Sequence, residues 1–212
     1  MDIFLFIAAA LSAYLVAGWN PAITFSLLIY KKDIRTCGSK NPGFTNFKRT
    51  FGNKWAWWVL ALDLTKAAIV SVIFALLFDK YVKILGNDMN LFQFGAAYTG
   101  FFAMIGHAFP IWYKFKGGKG FLVCLSTVFV IDWRIGLAAT LLMIVLLLTT
   151  KYMSLSTVSA ILISPVLMLL LDTNIYAVAL FGVCAVFMTV RHKENFKRLI
   201  SGTESKFKLK SK

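Results

Sequence analysis

The feature that most constrains this chain is a succession of long apolar runs parted by short charged segments. An α-helix rises about 1.5 Å per residue, so roughly 20 apolar residues cross a hydrocarbon core of about 30 Å. Apolar segments stand out at residues 3–29, 57–78, 91–112, 120–131, 135–149, 152–171 and 175–190. Only 15% of the 212 residues are charged, against about 25% in a soluble domain, and a single water-facing core has no use for such runs. The expected fold is an all-α polytopic membrane protein with about seven transmembrane helices, in one membrane-embedded domain over residues 1–204. Residues 205–212 read as a basic tail, disordered or lipid-facing. The first run has Asp2 as its only early charge and no A-x-A-like site, so it reads as a retained span rather than a signal peptide. Pro21 lacks an amide donor and is expected to kink or break that run. The fourth segment is too short to cross alone. Either it takes in the glycine-rich residues before it, or those residues dip below the membrane surface, where irregular backbone must be buried in protein or line a wet cavity.

Seven alternating spans create two classes of flank. One holds Lys31, Lys32, Arg35, Lys40, Lys48, Arg49 and Lys54, then Lys114, Lys116 and Lys119, then Lys151. The end of the chain adds Arg191, Lys193, Lys197, Arg198, Lys206, Lys208, Lys210 and Lys212. The other class holds only Lys80, Lys83 and Arg134. The positive-inside rule then puts the N-terminus outside and the C-terminus in the cytoplasm. Merging the fourth, fifth and sixth segments gives five spans and the same ends. The net charge of +14 flanks apolar spans and accompanies no nucleic-acid-binding motif, so it indicates topology and anionic lipid rather than nucleic acid. Cys37, Cys124 and Cys184 are isolated, which indicates neither a zinc site nor a disulfide framework.

Three segments on the expected cytoplasmic side are richer than topology loops need to be. Residues 33–52 combine Gly38 and Gly43 with Ser39, Asn41, Thr45 and Asn46 and with Arg49. Glycine lets backbone approach a ligand, and amides, hydroxyls and cations are what a phosphate oxyanion requires. Asn41-x-Gly43-x-Thr45-Asn46 has the makings of an anion nest before a helix N-terminus. Residues 107–120 run from His107 through Phe109-Pro110 to Lys116-Gly117-Gly118-Lys119-Gly120. That is again an anion loop, but not a Walker A loop, since the first Gly and the Ser/Thr after Gly-Lys are missing. Residues 191–204 hold Arg191, His192, Glu194, Asn195, Arg198 and Glu204. Within one helix, residues 191, 194, 195 and 198 share a face. Each segment also has a plainer explanation. Lysines and arginines beside spans commonly anchor topology, a lone histidine such as His107 at an interface is commonly structural, and Trp55, Trp57, Trp58 and Trp112 form an interfacial belt. Asp63 and Lys66 lie inside the second span at i, i+3 and can pair, as a functional site or as a structural tie. The residues alone describe a cytoplasm-facing site for a phosphorylated ligand, in an enzyme or in a transporter.

The three segments, in order, resemble the motifs of the bacterial acyl-phosphate:glycerol-3-phosphate acyltransferase (PlsY-type) family. The first is similar to G-S-x-N-x-G-x-T-N-x-x-R, the second to His-x-Phe-Pro leading into F-K-G-G-K-G, and the third to R-H-x-E-N-x-x-R-L-x-x-G-T-E. Asp63-x-x-Lys66 and the stretch around Ser154 match as well. The resemblance implies transfer of a fatty acyl group from acyl phosphate to the sn-1 hydroxyl of glycerol 3-phosphate at a bacterial inner membrane. No metal or other cofactor is implied, the partners are the two substrates and membrane lipid, and the oligomeric state stays open. The donor is an activated anhydride, which fits the lack of a G-x-S-x-G elbow and of an Asp five residues after His107 or His192. By the same resemblance, Arg49, Lys119 and Asn195 hold the phosphate of glycerol 3-phosphate. Ser39, Asn41, Gly43, Thr45, Asn46, Lys116, Gly117, Gly118 and Ser154 cradle the acyl phosphate. His192 orients or deprotonates the attacking hydroxyl, alone or with substrate phosphate. Glu194, Arg198, Asp63 and Lys66 support the site, Glu194 by pairing with an Arg or Lys.

Overall fold

The computed structural model describes residues 1–83 and 89–207. Among them are the helices α1 (Asp2–Gly18), α2 (Pro21–Tyr30), α3 (Phe44–Phe51), α4 (Ala56–Tyr81) and α5 (Leu91–Ala108), then α6 (Phe121–Ile131), α7 (Trp133–Thr150), α8 (Met153–Leu170), α9 (Ile175–Arg191) and α10 (Lys193–Ile200). The first apolar run breaks where Pro21 predicts. Asn20 turns the chain, its side chain accepts from the Ile23 amide at 3.0 Å, and Pro21 starts α2, where the missing donor does no harm.

Helix α5 is the hub, packed against α1, α4, α6 and α9. Close approach rests on small residues, as between membrane helices generally. Leu5, Ala9, Ala13 and Ala17 recur every fourth residue along the buried side of α1. A Cβ on Gly106 would strike the Tyr14 backbone of α1, and one on Gly100 would strike Thr127 of α6. Ile3, Ile7, Leu11, Ile69, Ile73, Leu76, Leu141, Val145 and Leu148 point outward, an apolar perimeter that suits lipid and not water. A second, smaller core of Ala22, Ile23, Ile34, Cys37, Phe44, Phe47, Ala56 and Val59 pads the first loop.

Hydrogen bonds show which segments share an end of the bundle. At one end the Lys83 amide donates to Asp2 (2.9 Å) and the Asn174 amide to Gln93 (2.9 Å). At the other, Trp112 reaches Leu15 (2.9 Å), Arg35 reaches Tyr113 (2.9 Å), and the three polar loops meet. By length and apolarity, residues 2–30, 56–81, 133–150 and 153–170 qualify as spans, and α9 with α10, a pair bent by 52°, makes a fifth candidate. Helix α6 is apolar but has 11 residues, about 16 Å, and α5 carries Gln93, Thr99, His107 and three glycines, so α6 falls short by length and α5 by apolarity.

The tail is not free from residue 205 onward. The Phe207 amide donates to the Lys151 carbonyl at 2.7 Å, and its ring lies 4.8 Å from the Lys48 ammonium. Residues 208–212 lie outside the described part.

Candidate active site

The first loop is held by its own polar groups. Asp33 caps the turn at Ile34–Thr36 and grips Arg35 (Nη2–Oδ2, 2.7 Å), and the bonds from Arg35 keep the Asp33 carboxyl below its ordinary range. Arg35 Nη1 goes on to the Tyr113 carbonyl, tying loop one to loop two. Asn46 is buried and fully used: its Oδ1 accepts from the Ser39 amide (3.0 Å), and its Nδ2 donates to the carbonyls of Cys37 (3.0 Å) and Ile34 (3.4 Å). Gly38 has a φ of +52°, and a Cβ there would run into Asn46 Oδ1, so glycine is required on both counts. Asn46 is therefore a staple for the loop, and its amide is not open to a phosphate. The Gly43 amide is likewise engaged, by the Asn41 carbonyl (3.0 Å). Ser39 is exposed, Asn41 and Thr45 are partly so, and α3 starts at Gly43 without a side-chain cap. Arg49 is exposed on α3 and makes no hydrogen bond or ion pair with the described residues.

The second loop folds back on the end of α5. The amides of Gly117 and Gly118 donate to the carbonyls of Ala108 and His107, both at 3.1 Å. This corrects the reading of 116–120 as an open anion loop, because these two amides are already engaged. Their carbonyls matter instead: Arg191 Nη2 donates to Gly118 O (2.7 Å) and Gly117 O (3.3 Å) while its guanidinium stacks on the Phe109 ring. Lys116 is exposed, with its carbonyl near Arg35 Nη1 (3.4 Å). Lys119 reaches the other way, to Asn195 Oδ1. Burial brings its ammonium down to about 8, and the charges of Arg198 and Arg191 push in the same direction against Glu204.

The third segment is not one helix. The chain bends at His192, so residues 191 and 195 do not share a continuous face. His192 Nδ1 lies 2.8 Å from the Met188 carbonyl. A carbonyl only accepts, so Nδ1 carries the proton and Nε2 is left with a bare lone pair. Beyond α10 the chain turns at Gly202, and the amides of Thr203 and Glu204 return to the Arg198 carbonyl (2.8 and 3.0 Å). The Glu204 carboxylate then gathers Ser154 Oγ (2.9 Å), Asn195 Nδ2 (2.6 Å) and Arg198 Nε (2.7 Å). Burial works to raise this carboxyl, but the three donors together hold it below its ordinary value. Glu194 does meet a lysine, Lys197 at 3.3 Å, but at an exposed i, i+3 position. The carboxylate that sets the third segment is Glu204.

Lys119, Asn195, Arg198, Ser154 and Glu204 thus form one connected cluster, with Arg191 and His192 on its border. Ser39, Asn41, Thr45 and Arg49 belong to the neighbouring loop at the same end and make no bond to that cluster. Sequence reasoning missed Arg35 and Arg191 as ties between loops. Their signal was an Arg at the start of one motif and another at the end of a span. Asp63 and Lys66 do pair, at 2.8 Å and fully buried, with His107 beside them.

A model of the glycerol-3-phosphate acyltransferase family matches residues 7–202. The chain is 35% identical over 210 residues to a glycerol-3-phosphate acyltransferase of Francisella tularensis subsp. holarctica (strain OSU18), covering 99% of this chain and 96% of that one. It is 32% identical over 196 residues to the enzyme of the same name from Bartonella quintana (strain Toulouse), covering 92% and 89%. Its fold matches the crystal structure of PlsY, an integral membrane glycerol 3-phosphate acyltransferase. In the glycerol 3-phosphate form the TM-score is 0.81 at 28% identity, covering 98% of this chain and 96% of that one. In the lysophosphatidic acid form it is 0.82 at 25% identity, covering 96% and 95%. Motif order, fold and sequence agree over nearly the whole length, and the chain belongs to the glycerol-3-phosphate acyltransferase family.

Proposed function

We propose that the chain transfers a fatty acyl group from acyl phosphate to the sn-1 hydroxyl of glycerol 3-phosphate, giving lysophosphatidic acid and inorganic phosphate. The observation that carries this is the cluster of Lys119, Asn195, Arg198 and Arg191 at the end of an apolar bundle. It offers cations for anionic substrates next to a surface that suits an acyl chain. In the reaction, the hydroxyl oxygen bonds to the acyl carbon, the bond from that carbon to the phosphate oxygen breaks, and phosphate leaves with the electron pair. The hydroxyl proton goes to His192 Nε2 or to a substrate phosphate oxygen. Lys119 and Asn195, with Arg49 from α3, hold the phosphate of glycerol 3-phosphate. Ser39, Asn41 and Thr45 meet the acyl phosphate. Positioning of two substrates and neutralisation of their charge supply the rate.

The same reading places the site on the cytoplasmic face of a bacterial inner membrane, with seven crossings and the N-terminus outside. The charge bias and the alternation of bundle ends support it. The chain runs from Asp2 at one end to the first loop at the other, back along α4, and so on to Arg191.

The test is acyl transfer by purified protein in detergent, with radiolabelled glycerol 3-phosphate and either palmitoyl phosphate or palmitoyl-CoA. Lysophosphatidic acid from palmitoyl phosphate alone is the expected result. Product from the thioester alone overturns the donor assignment. Product from neither donor, in folded protein, overturns the enzyme reading and favours a transporter, which liposome uptake then measures.

A further inference from the structure

Three charged or titratable side chains inside the bundle take no part in the reaction described above. Asp63 and Lys66 are buried in α4 and His107 is buried at the end of α5. Buried charges within a membrane span cost several kcal/mol unless matched, and here three groups surround the ammonium. Lys66 Nζ donates to the Trp19 carbonyl at 2.6 Å, lies 2.8 Å from Asp63 Oδ1, and lies 3.3 Å from His107 Nδ1. The Trp19 carbonyl is available because the Ile23 amide, its helical partner, is taken by Asn20 Oδ1. The break in the first apolar run and the ion pair in α4 are therefore one construction.

The far side of the imidazole faces the second loop. The His107 carbonyl accepts the Gly118 amide, and any Cβ on Gly118 would meet the His107 ring, with Nε2 nearest and Cδ2 and Cε1 at 3.1 Å. Gly118 then hands its carbonyl to Arg191 (2.7 Å), and the next residue, Lys119, bonds Asn195. We propose that His107, braced by the Asp63–Lys66 pair, is a positioning residue that sets the height of Gly118 and thereby places Lys119 for the phosphate of glycerol 3-phosphate. This rests on the function proposed above. The contrasting role is a tie that only holds helices together.

The two roles separate in Gly118→Ala, His107→Ala and their combination, with KM for glycerol 3-phosphate and for palmitoyl phosphate measured apart and Tm recorded in detergent. Each single variant is expected to raise KM for glycerol 3-phosphate on the order of ten-fold or more, with KM for the donor little changed. In the double variant the new methyl occupies the space the ring vacates, so much of the loss is recovered, a non-additivity that contact between the two residues requires. Asp63→Leu/Lys66→Met removes both charges at similar volume and leaves no unpaired ion. It is expected to fold and to shift the same KM. Equilibrium binding of radiolabelled glycerol 3-phosphate follows the same order. Additive single effects, or a folded Asp63→Leu/Lys66→Met variant with unchanged KM and binding, overturn the inference while the wild-type activity stands. A wild-type protein that neither binds nor acylates glycerol 3-phosphate overturns the functional reading and this inference together.

Discussion

With Lys119 holding the substrate phosphate as proposed, the pH dependence of substrate affinity and of stability is expected to run in opposite directions. Its ammonium is brought from 10.5 to about 8, so holding the charge among these residues costs on the order of 3 kcal/mol. At pH 7 roughly nine in ten molecules carry it, and at pH 9 roughly one in ten. A bound phosphate restores the charge, so kcat/KM for glycerol 3-phosphate is expected to be level to about pH 7.5. Above about pH 8 it should fall ten-fold per unit, with the limb in kcat displaced upward because the complex titrates later. For stability the sign reverses. Between about 8 and 10.5 the unfolded lysine binds more protons than the folded one, so this group adds stability as pH rises through that window. Two variants isolate it. Lys119→Arg remains charged throughout and should remove the alkaline limb at whatever rate it retains. Lys119→Met should lose measurable affinity for glycerol 3-phosphate yet melt at a higher temperature at pH 7, since it deletes a poorly solvated charge. Initial rates from pH 6 to 9.5 and melting curves in one detergent measure all of this. A limb near pH 8 that survives in Lys119→Arg, or a Lys119→Met protein that melts lower at pH 7, refutes the reasoning.

Further outcomes follow from the other two loops. Glu204→Ala frees Ser154, Asn195 and Arg198 at once. With the carboxylate partly exposed, about 1–2 kcal/mol of stability should be lost, and KM for glycerol 3-phosphate should rise because Asn195 no longer has its amide oriented toward Lys119. Asn46→Ala leaves the Ser39 amide without its partner and takes one donor each from the Cys37 and Ile34 carbonyls, which keep the Lys40 and Cys37 amides. It should cost about 2 kcal/mol, read as a lowered Tm, and should raise KM for the donor. Arg49→Ala should raise KM for glycerol 3-phosphate or abolish turnover, and normal kinetics would remove it from the phosphate site. His192→Ala should lower kcat. An unchanged kcat excludes proton transfer through Nε2 and leaves a substrate phosphate as the base.

Much of this was legible from periodicity and punctuation, and what was not has a common physical cause. Helix positions came from apolar runs because only the backbone's own hydrogen bonds can satisfy it in lipid, so each run has to be helical whatever its neighbours do. The break at Trp19-Asn20 was legible because proline acts locally. Partner choice was not, because it depends on where the runs place their ends. Glu194 and Glu204 are the same residue type in the same motif, and the sequence favours Glu194, which sits two residues from His192 and one turn from Arg198. The bend at His192 sends Glu194 outward, and the turn at Gly202 brings Glu204 back beneath Asn195. Likewise Gly117 and Gly118 resemble a phosphate loop in composition, yet the α5 terminus they follow has unpaired carbonyls at His107 and Ala108. Two free carbonyls beside two free amides pair with each other before either meets a ligand. The glycines are needed because a Cβ on Gly118 would meet the His107 ring and one on Gly117 the His107 carbonyl and Pro110, so in this loop it is Lys119 that is proposed to meet the anion. A polar motif in a membrane protein therefore states an inventory of donors and acceptors. The helix ends that the bilayer brings together decide which are consumed in building the site and which remain for the substrate.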